Sequence, residues 1–148
     1  KLAGAGEHFV FHRDRAAGPG TVAAGRDVRV TGSRVFVGLT DSRYGWWGGS
    51  SEDPRPELLV VPLDRDAFEV TSSIRMSSPY TWLTDAVGNK AVVVSDTPPA
   101  LSIYDASDPG RLVMEKEVLL TGYAYDMHVL EDVILSANAQ WGVQSIDL

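Results

Sequence analysis

The chain has 148 residues, 44% hydrophobic and 22% charged, the proportions of a folded domain with a real core. Its 13 basic and 20 acidic residues leave a net charge of −7 with no clustered positive charge, which makes nucleic acid and anionic membrane poor partners. Cysteine is absent, which removes disulfides, thiol nucleophiles and thiolate metal sites, and no apolar run approaches the ~20 residues that direct membrane insertion needs.

Taken in chain order, residues 1–25 hold one apolar stretch, Glu7 to His12 (EHFVFH), read as a lone strand before a Gly/Pro linker. His8 and His12 would share a face of it, but two histidines are too few for a zinc site. Lys1 does not open a signal peptide, because no charged region leads into an apolar one. Then follow VRV (28–30), VFVGL (35–39), LLVVPL (58–63), AVVVS (91–95), LSIY (101–104) and VILSA (133–137), all rich in β-branched residues. Turn formers such as TGS, VGN, DTPP and SDPG bound them. No long window has helical periodicity, and VMEKEVLL (113–120) reads as an edge strand, so the class is all-β.

The strands repeat. DVRVTGSRVFVG (27–38), LTDAVGNKAVVV (83–94) and DMHVLEDVILSA (126–137) align without a gap, each a strand, a tight turn and a strand. A third strand follows each, in VVPLDR (60–65), LSIYDA (101–106) and VQSIDL (143–148), where an apolar residue precedes Asp64, Asp105 and Asp147. Fourth strands are expected around FEVTSSIRM (68–76) and VMEKEVLL. Four antiparallel strands in every ~40–50 residues is the pattern of a β-propeller blade, since one small twisted sheet buries its faces only by stacking on others.

Residues 101–112 (LSIYDASDPGRL) and 122–148 (GYAYDMHVLEDVILSANAQWGVQSIDL) resemble the LVIVD-type repeats of bacterial β-propeller proteins, many of them exported. The likeness is best over residues 82–148. Leu130-Glu131-Asp132 departs from it, because that turn usually carries Ser-Gly-Asn. The expected organisation is one incomplete ring of about two and a half blades. It comprises a strand and linker (1–25), blade one (26–81, with a loop insertion at 41–56), blade two (82–125) and partial blade three (126–148). Closed rings need roughly four to eight blades, so the remaining blades or a protein partner must cover the open faces. The resemblance implies an extracellular, cell-surface or periplasmic setting, although a cysteine-free chain fits the cytoplasm equally.

In such a fold, the loops joining strands two and three share a face with the segments entering strand one. The first of these loops is long: Val37 to Val60 spans 23 positions against 8 for Val93 to Leu101, an excess of 15. It carries YGWWGGSSEDP (44–54). Tyr44, Trp46, Trp47, Tyr80, Trp82, Tyr123 and Tyr125 are therefore expected on one face, where aromatics among polar groups recognise proteins or glycans. A second role is open to Trp46 and Trp47, capping their own blade, and the length of their loop favours it. The resemblance gives Tyr123 and Tyr125 a packing role. Strand one should line the central channel, with Arg29, Asp85 and His128 in one column and Asp27 and Asp126 at its mouth.

Catalytic signatures are missing: there is no Gly-x-Ser-x-Gly, no phosphate-binding Gly-Lys-Ser/Thr and no His-Glu-x-x-His. Nothing calls for a cofactor or a metal. The expected function is a non-catalytic interaction or scaffold module, one part of a larger propeller or assembly. The alternative is a propeller hydrolase or lyase using the polar residues at the channel mouth.

Overall fold

The computed structural model describes residues 23–41, 57–63, 70–76 and 81–148. Tyr44, Trp46, Trp47, Tyr80, the Glu7–His12 stretch and most of the 41–56 insertion lie outside these residues. The described residues form three antiparallel sheets, each built from strands consecutive in the chain. Sheet one contains β1 (Ala23–Thr31), β2 (Arg34–Asp41), β3 (Glu57–Pro62) and β4 (Ser72–Arg75). Sheet two contains β5 (Thr81–Val87), β6 (Lys90–Asp96), β7 (Pro99–Asp105) and β8 (Val113–Leu119). Sheet three contains β9 (Ala124–Leu130), β10 (Val133–Asn138) and β11 (Val143–Asp147).

The three sheets share one hairpin geometry. In each sheet a two-residue hairpin joins the first two strands, and its first residue has positive φ: Gly32 at 55°, Gly88 at 56° and Glu131 at 53°. Glycine takes that conformation without a steric cost, whereas glutamate does not. Each hairpin then accepts one equivalent backbone bond: Leu63 N–H donates to Ser33 O, Ala106 N–H to Asn89 O and Leu148 N–H to Asp132 O, all at 2.7–2.8 Å.

These bonds correct one sequence expectation. Arg34 pairs with Pro62, Lys90 with Asp105 and Val133 with Asp147. Pro62, not Asp64, therefore occupies the place of Asp105 and Asp147. Val37 pairs with Leu59, 22 positions on, and Val93 with Ser102, 9 positions on, so the first loop carries 13 extra residues rather than 15. A slip of two positions leaves every side chain on its own face, so the apolar pattern of LLVVPL fits both registers.

The sheets pack face to face in chain order. Phe36, Leu58, Val60 and Met76 of sheet one and its margins meet Leu83, Val93, Tyr104 and Leu112 of sheet two. The other face of sheet two, through Val92, Val94, Leu101 and Ile103, meets Met127, Ile134 and Ile146 of sheet three. Sheet two is thus covered on both sides, which explains why β6 and β7 are continuous apolar runs without polar alternation. Gly38 of β2 lets the first two sheets approach closely, since a Cβ there would stand 3.1 Å from Leu83 Cβ. Edge strand β8 is exposed over most of its length and carries Glu115, Lys116 and Glu117, charges that discourage further pairing.

Polar links between sheets sit mostly at their rims. Arg34 donates to Asn89 Oδ1 and to Ser107 O, and Lys116 Nζ donates to Asp147 O at 2.7 Å. Such exposed bonds contribute about 1 kcal/mol or less apiece, whereas each fully buried aliphatic side chain contributes roughly 1.5–3 kcal/mol. Apolar packing between faces therefore dominates. Within the turn after β7, the Ser107 hydroxyl and amide both donate to Asp105 Oδ1 and hold that carboxyl below its usual range.

Candidate binding site at one end of the sheets

Three connections meet at the end opposite the tight hairpins: β6 to β7, β10 to β11, and β8 to β9. Between β10 and β11 the chain makes a single 3-10 turn, Ala139–Trp141, closed by Asn138 N–H donating to Gly142 O at 2.7 Å. Asn138, itself buried, anchors the region. Its Nδ2 donates to Thr121 Oγ1 at 3.1 Å and to Gln144 Oε1 at 2.9 Å, while its Oδ1 accepts from Ser136 Oγ. Gln144 Oε1 also accepts from Thr121 N–H at 3.3 Å. The network ties the segment entering β9 to the turn after β10, so both ends hold one geometry.

On that base stand exposed aromatic rings. Tyr123 is 54% exposed, Tyr125 81% and Trp141 64%. The Trp141 indole lies against Gly122, where a Cβ would come within 2.5 Å of Trp141 Cδ1. Exposed aromatics provide large contact area to a partner. Trp82 differs from them: it is partly buried and packs on the core between sheets two and three.

Beside the rings, the middle of β1 and the first halves of β5 and β9 border an open cleft of about 330 Å³. Asp27, Arg29, Trp82, Thr84, Tyr125 and Asp126 are among its walls. Its shape depends on a bulge. Leu83 pairs with Val93 and Asp85 with Val92, which leaves Thr84 as the extra residue in β5. The Thr84 carbonyl accepts from Arg29 Nε at 2.9 Å, and Arg29 Nη1 donates to Val28 O at 3.0 Å. Asp126 Oδ1 accepts from Met127 N–H at 2.9 Å, and Asp126 Oδ2 lies 3.5 Å from His128 Nε2.

Of the polar residues expected at a channel mouth, Asp27, Arg29 and Asp126 border this cleft, whereas Asp85 and His128 do not. Their cross-strand partners explain the difference. Arg29 pairs with Phe36 and shares its face, toward sheet two; Asp85 pairs with Val92, toward sheet three. His128 pairs with Leu135 on the outer face of sheet three, exposed to solvent. The column is thus one face per sheet, not one shared lining. Asp85 Oδ1 accepts from the next amide, Ala86 N–H, at 2.8 Å.

Three contributors escaped the sequence reading: Trp141, Asn138 and the Thr84 carbonyl. Trp141 carried a signal, being the sole aromatic in its turn and followed by a glycine. Among the described residues no group of three or more His, Cys, Asp or Glu is placed to hold a metal ion, and no helix is long and apolar enough to cross a membrane. A scan against protein-family models and searches among curated proteins and solved structures found no match.

Proposed function

We propose that this chain is a stretch of a β-propeller of the LVIVD-repeat kind and acts as a non-catalytic recognition module. The observation that carries the binding role is the set of exposed rings, Tyr123, Tyr125 and Trp141, beside a hydrogen-bond network anchored on the buried Asn138 at one end of the sheets. The propeller reading draws support from sheets that stack in chain order and from hairpins that repeat one conformation. The outer face of sheet three supports it too. Leu135 and Val143 stand there where Val92 and Leu101 stand on the face of sheet two that is covered. Val143 is 71% exposed, and a further blade, from the same propeller or from a partner, would bury it.

The partner is a protein or a glycan met through the ring-bearing end, in an exported or cell-surface setting. The enzyme alternative has less support, because Asp85 and His128 stand apart from the cleft that Asp27 and Asp126 border. The test is photo-crosslinking from a benzoylphenylalanine placed at Tyr123, compared with one at Asp132 in the opposite hairpin. Adducts specific to position 123 are expected; adducts at neither position, or equally at both, would overturn the binding role.

A further inference from the structure

We draw no further inference here: the strongest candidate, the outer face of sheet three with Leu130 and Val143 exposed on it, carries nothing because nothing in the structure shows what covers it.

Discussion

Trp141 rests on Gly122 so closely that a single methyl group would collide with its indole, at 2.5 Å from Cδ1. The contact joins two turns that are distant in the chain and aims the indole outward from the end of sheet three. Gly122→Ala should therefore displace the ring. Because Trp141 is largely exposed it can swing away, so the stability loss stays near 1 kcal/mol, at the low end for overpacking. The measurement is near-ultraviolet circular dichroism with indole fluorescence, and an unaltered spectrum would refute the contact.

Glu131 occupies the position that Gly32 and Gly88 hold in the other two hairpins, at almost the same positive φ. Glu131→Gly should stabilise the protein by about 1 kcal/mol, the usual cost of a left-handed L-residue. Gly88→Ala should do the reverse by a similar amount. No atom lies within 4 Å of a Cβ at Gly88, so backbone conformation alone sets that cost. Denaturant unfolding of the two variants gives both signs in one experiment.

Asn138 is buried and serves three side chains, Ser136, Thr121 and Gln144. Asn138→Ala leaves the buried Ser136 hydroxyl without its acceptor, and a loss of about 2 kcal/mol is expected. Faster amide exchange at Thr121 and Gly142 than elsewhere in sheet three would show that the effect begins at this end.

Arg29 is expected to matter through position more than charge. Arg29→Met keeps the apolar stem but removes the donor to the Thr84 carbonyl at the bulge. The predicted loss is about 1 kcal/mol in urea unfolding, reduced from the value of a fully buried charged bond because the site is only partly buried. A variant as stable as the parent would mean that this link contributes nothing between sheets one and two.

Tyr104 sets an alkaline limit. Burial raises its phenol, the nearby Glu117 carboxylate raises it further, and a hydrogen bond with Ser102 opposes both. A group raised in the folded state contributes stability that is fully present below its unfolded value, about 10, and is lost as pH rises toward the folded one. Stability should thus fall above about pH 10, and Tyr104→Phe should flatten that fall. Urea midpoints across the alkaline range decide it.

Several features of this fold are local and were legible in the residues. Alternating and continuous runs of Val, Ile and Leu mark strands, and Gly32 and Gly88 mark the hairpins, because both depend on near neighbours alone. The exposure of β8 follows from its charged triplet. The register of β3 was not legible: a shift of two positions preserves which side chains face inward, so only the pairing of Arg34 with Pro62 distinguishes the choices.

The site divides along the same line. Its aromatics could be named from composition, but Trp82 turned into the core while Trp141 came to the surface. Asp27, Arg29 and Asp126 come to one cleft because three sheets stack and a bulge at Thr84 turns a carbonyl toward Arg29. By itself the sequence determined an all-β chain with three repeated hairpins, since period-two alternation and turn chemistry act over a few residues. Only the tertiary structure decided which faces meet, which register β3 adopts and which polar groups share a cleft, because those depend on contacts between residues far apart in the chain.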